Sequence, residues 1–337
     1  MRISIVVPCR NESRHISGLL DAVGAQTCPA DEVVLVDSSS DDTRETVARY
    51  VEAHRELTVR IVPFDRASIP GAVNLGVREA TGAVIVRLDG HSAPNPEYVA
   101  RAVETLRRSD DVGVVGGVWR VRPGAETLAA RGIALAVSHP MGAGDAVYRV
   151  ADAHAAARDV DTVPFGCFQK SFWESVGGYN EDLLTNEDYE FNFRVRRSGR
   201  RVVLDPGMQS TYFARPTLGA LATQYGRYGQ WKMRMLRQYP ESLRWRQAVP
   251  PAFVAAVILL VLTSPWLSGS AWLAAWLLTV YGVALAVAAG DACRRTGDWN
   301  AWFYVVAAFV AIHFCWGGAA LLSLLTGGPT SPRARRD

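Results

Sequence analysis

The chain has 337 residues, 49% of them apolar and 20% charged, a balance that excludes a disordered or fibrous protein and allows a large core. The net charge of +3 is the sum of three blocks: residues 1–214 carry −5, residues 215–250 carry +6 and residues 251–337 carry +2. The basic block is short and lies next to apolar stretches, which argues against a nucleic-acid partner. We therefore expect an acidic domain, a basic juxtamembrane collar and an apolar anchor that ends at residue 328, followed by a polar tail.

The first 214 residues alternate strand-length runs of β-branched residues with segments of helical length. The predicted strands are Ile3–Val7, Val33–Val36, Val59–Val62, Ala83–Leu88 and Val112–Val118, and the predicted helices are Glu12–Ala25, Asp42–His54, Pro70–Ala80 and Pro96–Arg107. This alternation predicts a doubly wound α/β domain. Ligands of such domains bind beyond the carboxyl ends of the strands.

The residues after the first two strands limit the choice of ligand. The segment Pro8–Glu12 has no glycine, so it is neither a GxGxxG dinucleotide turn nor a GxxxxGK[ST] phosphate loop. This disfavours a nicotinamide or flavin Rossmann domain and a P-loop NTPase. Asp37 ends the second strand, where a carboxylate can accept from a ribose hydroxyl or a uracil imide. Ser40 or Asp41 is expected to cap the next helix.

After the fourth strand come Asp89 and His91, separated by one glycine. A carboxylate and an imidazole at this spacing can reach one divalent ion, and they suit Mn²⁺ or Mg²⁺ better than a structural zinc site. Residues 134–163 are predicted to form a long polar loop, either a lid or acceptor site or an ordinary solvated surface. His154 in this loop has no metal-spaced partner, so it is assigned no role.

A second acidic group, Glu187 and Asp188, lies in the first turn of a helix predicted to begin at Asn186. Acidic residues there commonly complement the helix dipole, and spacing alone makes that interpretation as good as catalysis. If Asp188 is a catalytic base, the helix N-terminus should help to hold its pKa down.

Three stretches without Asp, Glu, Lys or Arg follow: Ala252–Leu267, Ala271–Ala289 and Ala301–Leu325. The second and third are long enough to cross a bilayer, and the first either crosses it or forms a tight hairpin with the second. Five cysteines, an odd number without a CxxC motif, favour reduced thiols and a cytoplasmic front domain.

Basic residues set the predicted orientation. The collar precedes the first stretch and Arg294 lies between the second and third, so both loops are expected in the cytoplasm. With three spans, Arg333, Arg335 and Arg336 would end on the opposite side, against this rule, unless the third stretch re-enters near Gly317.

Eight segments resemble, in order, the motifs of family 2 glycosyltransferases with the nucleotide-sugar GT-A fold. They are Val6–Glu12, Val36–Thr43, Asn74–Gly76, Arg87–His91, Asp161–Gly166, Val176–Glu181, Asn186–Glu190 and Gln224–Tyr228. Together with Ser138–Gly142, Val147–Arg149 and the hydrophobic C-terminal part, the pattern is most similar to the membrane-bound subgroup of succinoglycan-biosynthesis glucosyltransferases. The resemblance covers roughly residues 2–245.

The resemblance implies a role for each matching residue. Asp188 would be the catalytic base, with Glu187 beside it, and Asp89 and His91 would hold the metal. The donor site would be formed by Pro8, Arg10, Glu12, Asp37, Asp41, Asn74, Arg87 and Asp89, and the acceptor and diphosphate would meet Gln224, Arg227 and Tyr228.

The sequence departs from the commonest family pattern in two places. The DxD motif is replaced by Asp89-Gly90-His91, so one metal carboxylate is missing. The QxxRW motif of processive synthases ends in Tyr228 instead of tryptophan. Arg227 in this motif either braces the leaving group or contacts anionic lipid headgroups.

The sequence therefore predicts an inverting, metal-dependent hexosyltransferase in the inner membrane, multi-pass, with a cytoplasmic catalytic domain. It would move a hexose from a nucleotide sugar, with UDP as the expected nucleotide, to a lipid-linked saccharide in exopolysaccharide or envelope glycan assembly, in contact with other assembly proteins. Two alternatives stay open: transfer to polyprenyl phosphate itself, and an inactive membrane scaffold that only binds nucleotide sugar.

Overall fold

The computed structural model describes residues 1–144, 146–152 and 155–329, so His154, Arg333, Arg335 and Arg336 lie outside the described residues. Over the described part the chain forms nine strands and twelve α-helices. The strands are β1 Ile3–Cys9, β2 Glu32–Asp37, β3 Val59–Pro63, β4 Val84–Arg87, β5 Ala93–Pro94, β6 Val112–Arg122, β7 Arg158–Asp159, β8 Cys167–Gln169 and β9 Arg201–Phe213. The helices are α1 Ile16–Gly24, α2 Thr43–Ala53, α3 Ile69–Glu79, α4 Tyr98–Arg108, α5 Leu128–Val137, α6 Pro140–Ala143, α7 Lys170–Ser175, α8 Glu187–Arg197, α9 Leu218–Gln238, α10 Trp245–Thr263, α11 Ser268–Thr296 and α12 Trp302–Thr326.

The strands form one mixed sheet in the order β3-β2-β1-β4-β8-β6-β9-β5, and β7 pairs with β9. Strands β3, β2, β1 and β4 run parallel, whereas β8 is antiparallel to both β4 and β6. The carboxyl ends of β1, β2 and β4 therefore meet at one edge of the sheet, where the sequence places its polar motifs.

Helix α3 packs closely against one face of the sheet. Ser68 caps the helix by accepting from the Gly71 amide at 3.2 Å. At Gly76 an added Cβ would lie 2.5 Å from Cγ1 of Val6, so only glycine lets α3 approach β1 this closely.

The predicted α/β fold is confirmed, and each of the nine predicted elements in the first 118 residues has a counterpart with shifted ends. The antiparallel strands β8 and β9 were not predicted. The predicted polar loop is wrong for residues 134–143, because the last turn of α5 and all of α6 lie there and are stabilised by backbone hydrogen bonds.

The chain divides into two compact units. The first contains Met1–Arg120 and Ala151–Tyr212, and the second contains Val121–Val150 together with the chain from Phe213 onward. The first unit ends at Tyr212, and residues 121–150 are grouped with the C-terminal helices. All five cysteines are free thiols.

The second unit contains three helices, α10, α11 and the segment Trp299–Thr326, that are long and apolar enough to cross a membrane. They correspond to the three uncharged stretches of the sequence. Their exposed apolar side chains are numerous in α10 and in the first half of α11, where Trp266 and Trp272 are both 81% exposed.

Strands β6 and β9 approach each other most closely at Gly117, where an added Cβ would lie 2.1 Å from the carbonyl oxygen of Met208. Replacing Gly117 by alanine must push the two backbones apart, so we expect Gly117→Ala to lower the free energy of unfolding by about 1–3 kcal/mol. Thermal unfolding in detergent measures the change.

The matched control is Gly18→Ala in helix α1, where a Cβ meets no atom within 4 Å. Alanine in an exposed helix is about 1 kcal/mol more favourable than glycine, so this variant should melt at or above the wild-type temperature. Equal melting temperatures for the two variants would contradict the close approach at Gly117.

Candidate functional site

The loops that follow β1 and β2 are tied together by hydrogen bonds. Asn11 has φ +59°, in the left-handed region that asparagine tolerates. Its backbone N–H donates to Oγ of Ser39 at 2.8 Å, and its side-chain oxygen accepts from the Ser40 amide at 2.9 Å. The Glu12 amide donates to the Thr43 hydroxyl at 2.9 Å. These contacts fix the carboxylates of both loops at the edge of the sheet.

The two aspartates of the second loop differ in exposure. Asp37 is fully buried, and its carboxylate accepts from Nε of Arg44 and from the Ser39 amide. Asp41 accepts from the Thr43 amide at 3.2 Å. The N-cap residue of α2 is Asp42, whose side chain makes no capping hydrogen bond, so the prediction that Ser40 or Asp41 caps this helix is wrong. The hydrogen bonds from Thr43 and Ser13 lower the pKa of Asp41.

Three further residues predicted for the donor site lie in β1, in the loop after it and in α3. Pro8 lies in β1, paired with Val36, and Arg10 is exposed just after the strand. Asn74 is buried, accepts from the Tyr179 amide at 2.8 Å and donates to the Tyr179 carbonyl at 2.8 Å. Asn74 thus fixes the turn before α8, which gives it a structural partner in addition to the predicted contact with the donor.

His91 and Glu12 approach each other at the end of β4. Nδ1 of His91 lies 2.8 Å from Oε1 of Glu12. A Cβ on Gly90 would lie 2.8 Å from Cγ of Glu12, so glycine between Asp89 and His91 leaves room for the glutamate. The sequence predicted Glu12 for the donor and His91 for the metal, and the structure brings the two together.

Arg87, at the end of β4, is the centre of the site. Its side chain is only 2% exposed and it contacts three carboxylates. Nη2 lies 3.2 Å from Oε1 of Glu187 and 3.3 Å from Oδ1 of Asp89, and Nη1 bonds Oδ1 of Asp188. The guanidinium also lies over the ring of Tyr179, 5.5 Å from its centroid. The buried cation therefore holds the acids of β4 and α8 in one cluster.

The carboxylates of this cluster are nearer to solvent than the cation. The side chains of Asp188 and Asp89 are 25% and 23% exposed, while that of Arg87 is almost inaccessible. Asn186, with φ +67°, turns the chain into α8 so that Glu187 and Asp188 lie in the first turn of that helix. A ligand that approaches the cluster therefore meets carboxylate oxygens first.

Burial and the charges of Glu187 and Asp89 together raise the pKa of Asp188 to about 8, against the opposing effect of Arg87. Burial also raises the pKa of Glu187. The expectation that the helix N-terminus holds the pKa of Asp188 down is therefore wrong. Three carboxylates around one guanidinium leave an excess of negative charge, which outweighs a dipole contribution of about 0.3–1 kcal/mol.

The chemistry of the predicted metal site fits a hard divalent ion. Asp89 offers carboxylate oxygen and His91 offers imidazole nitrogen, donor types that Mn²⁺ and Mg²⁺ accept. Among the described residues no three His, Cys, Asp or Glu side chains are grouped to hold an ion. An ion held by one carboxylate and an imidazole takes its other ligands from water and from substrate phosphate.

The predicted acceptor motif lies on α9 in the second unit. Nε2 of Gln224 donates to the Tyr228 hydroxyl at 2.9 Å, and Arg227 is exposed. Between them, the Tyr225 hydroxyl accepts from Nη1 of Arg149 at 3.2 Å and donates to the Gly142 carbonyl at 3.3 Å. Tyr225 and Arg149 thus join α9 to the segment after α6, a link that the sequence motifs did not indicate.

Sequence reasoning assigned Arg87 to the donor and missed its contacts with Glu187 and Asp188, about 100 positions away. The signal was present in the sequence. An arginine within an apolar strand, Ala83–Leu88, has to be paired with carboxylates if the strand is buried.

The cluster predicts a measurable pH dependence of stability. The raised pKa of Asp188 means that its ionised form is less favourable in the folded than in the unfolded chain, so this residue costs stability as pH rises from about 4 through about 8. Asparagine removes that cost. The melting temperature of Asp188→Asn relative to wild type should therefore increase between pH 6 and pH 9.

Thermal melts across this pH range provide the measurement, and Asp65→Asn is the control because the Asp65 side chain is 89% exposed. The control curve should follow wild type. A constant difference between Asp188→Asn and wild type at every pH would show that Asp188 titrates normally.

The chain is similar to several known proteins. Residues 4–144 match the profile of glycosyl transferase family 2. A dolichyl N-acetyl-α-D-glucosaminyl phosphate 3-β-D-2,3-diacetamido-2,3-dideoxy-β-D-glucuronosyltransferase of Methanococcus voltae is 23% identical over 77% of this chain and 81% of its own. The succinoglycan biosynthesis protein ExoA of Rhizobium meliloti is 27% identical over 74% of both chains.

Among solved structures, the mannosyltransferase PcManGT from Pyrobaculum calidifontis, in complex with GDP-Man and Mn²⁺, matches with a TM-score of 0.62 and 24% identity. The match covers 92% of this chain and 86% of that one. At this identity the likeness establishes the fold. Residues 4–144 therefore form a domain that matches glycosyl transferase family 2, and the likeness to the solved structure shows a GT-A fold.

Proposed function

We propose that this glycosyltransferase transfers a hexose, with inversion, from a nucleotide sugar to a lipid-linked saccharide at the cytoplasmic membrane surface, with UDP as the expected nucleotide. The observation that carries the proposal is the cluster around Arg87, in which the acids of α8 stand beside the metal motif of β4. Glycosyl transfer needs these two groups near each other, because the acceptor hydroxyl is deprotonated while the diphosphate leaves.

Asp188 is the base in this proposal. It takes the proton of the acceptor hydroxyl as that oxygen attacks the anomeric carbon from the face opposite the departing diphosphate. Because burial raises the pKa of Asp188 to about 8, the carboxylate is a stronger base than an exposed aspartate. Arg87 orients the carboxylate of Asp188. Glu187 accepts from the same guanidinium, and this second contact restricts rotation of the Arg87–Asp188 pair.

Asp89 and His91 would hold Mn²⁺ or Mg²⁺, which neutralises charge on the leaving diphosphate when bound. The loops after β1 and β2 are proposed to bind the nucleoside, through Asp37, Asp41 and the segment Pro8–Glu12. The hydrogen bonds between these loops support that proposal because they pre-form one continuous edge.

The name of one relative supports a lipid-linked acceptor, and the name of another supports exopolysaccharide synthesis. The Methanococcus voltae protein is named for action on a dolichyl phosphate-linked sugar, and the Rhizobium meliloti protein for succinoglycan synthesis. For this chain we propose an acceptor of the same kind. Mass spectrometry of the product separates a lengthened lipid-linked saccharide from the lipid phosphate monosaccharide that direct transfer to polyprenyl phosphate would give.

Removal of the base should abolish transfer without loss of donor binding. Asp188→Asn keeps the size of the side chain and is expected to reduce sugar transfer by about 100- to 10,000-fold, the usual contribution of a general base. Release of nucleoside diphosphate from a panel of nucleotide sugars, with lipid extracts as acceptors, measures turnover.

Glu174→Gln, an exposed acid on α7, is the control and should transfer at the wild-type rate. Turnover at the wild-type rate by Asp188→Asn would show that Asp188 is not the base. Absence of turnover by the wild-type protein with every donor and metal would instead favour a binding scaffold.

Metal binding should depend on the nucleotide, since Asp89 and His91 leave most coordination positions to other ligands. Wild-type protein is expected to bind Mn²⁺ weakly alone and at least about tenfold more tightly with a nucleoside diphosphate, and Asp89→Asn should lose most of this gain. Electron paramagnetic resonance of free Mn²⁺ gives both affinities. Tight binding without nucleotide would contradict a site that the diphosphate completes.

A further inference from the structure

We propose that α12, although long and apolar enough to cross a membrane, lies along the membrane surface, and that the hairpin of α10 and α11 is the part that enters the bilayer. Helix α12 then has one face on α5, α6 and α9, and the rest of its surface is on α10, α11 and lipid. The proposal concerns the second unit alone and does not depend on the donor, the acceptor or the base.

The first half of α12 is in contact with α5 and α6. Just before the helix, Asp298 accepts from Nε of Arg131 at 2.7 Å. A Cβ on Gly132 would lie 2.5 Å from Cβ of Tyr304, so α5 and α12 touch backbone to backbone there. Nε2 of His313 donates to the Met141 carbonyl at 2.9 Å.

The second half of α12 is in contact with α9. A Cβ on Gly229 would lie 2.3 Å from the carbonyl oxygen of Trp316. Nη2 of Arg237 donates to the Ser323 carbonyl at 2.6 Å, and Arg234 donates to the Pro329 carbonyl at 2.6 Å. Helices α5, α6 and α9 therefore accompany α12 over its length of about 37 Å, at 1.5 Å per residue, and most of the charges beside α12 are on α9.

These contacts are incompatible with a crossing orientation. The accompanying segments carry six basic side chains: Arg131, Arg149, Arg227, Lys232, Arg234 and Arg237. If α12 crossed the bilayer, Arg227 and Lys232 would lie near its middle, because they flank Gly229, which touches the middle of α12. Charges in the hydrocarbon are strongly unfavourable. With α12 in the surface, all six stay at the level of water and headgroups.

The opposite face of α12 has the composition for contact with lipid. Phe303, Val310, Leu322 and Leu325 are 68%, 38%, 55% and 87% exposed. Helix α12 itself carries no Asp, Glu, Lys or Arg, so the charged groups on its other side are those of α5 and α9. The hairpin continues the apolar surface, and in the sequence α11 has no charged residue before Asp291.

This orientation places both ends of α12 on the side of α9. It also resolves the conflict seen in the sequence, since Arg333, Arg335 and Arg336 then follow α12 on the side that holds the collar and Arg294.

Depth measurements on spin labels test the proposal directly. In the full chain with its five cysteines replaced, single labels at positions 303, 310 and 322 report α12, and labels at 259 and 283 report the hairpin. In vesicles of phosphatidylcholine and phosphatidylglycerol, accessibility to oxygen and to a nickel chelate gives the depth of each label. We expect one shallow depth for the three α12 labels and greater depth for both hairpin labels. A label at 310 that lies about 10 Å deeper than that at 303 would overturn the proposal.

The side on which the chain ends is a second measurement. Fusions of green fluorescent protein and of alkaline phosphatase after Asp337 are compared with fusions before Met1, in a bacterial host. Fluorescence of both green fusions with inactive phosphatase at both ends is expected, because both ends stay in the cytoplasm. Active phosphatase after Asp337, with the fusion before Met1 fluorescent, places the ends on opposite sides and refutes the surface orientation.

Discussion

One buried guanidinium, that of Arg87, determines how the ends of β4 and α8 are arranged. A cation that is 2% exposed requires carboxylates around it, and it takes Asp89 from the loop after its own strand and Glu187 and Asp188 from a helix 100 residues later. Burial of the cluster, together with the charges of Glu187 and Asp89, raises the pKa of Asp188 against the effect of Arg87. The arrangement therefore costs stability at neutral pH and holds carboxylates ready for a metal ion or a proton.

The sequence predicted the parallel half of the sheet well, because each of these strands is a buried apolar run that ends in polar residues. Strand β8 escaped prediction because three residues, Cys167–Gln169, are too few to show a period. The grouping of residues 121–150 with the second unit was not predicted either. It depends on tertiary contacts such as Arg131 with Asp298, which no local pattern records.

At the site, motif order directed attention to the ends of β1, β2 and β4, but not to the partners of the side chains there. Asn74 contacts the Tyr179 backbone, and Asp37 contacts Arg44. The direction of the Asp188 pKa also required the structure. A helix terminus is visible in the sequence, whereas the number of carboxylates around one cation depends on which residues the fold brings together.

Hydropathy has the same limit in the second unit. A hydropathy value counts the apolar residues along α12 but does not record which helices pack closely against it. Gly132 of α5 and Gly229 of α9 let these two helices approach the backbone of α12. The charged residues of α5 and α9 then decide where α12 can lie. With α12 in the surface, α9 stands at headgroup level, and so do the Gln224–Tyr228 pair and the exposed Arg227. That is the level at which the phosphate of a lipid-linked acceptor stands, so the orientation of an apolar helix determines whether this motif can reach it.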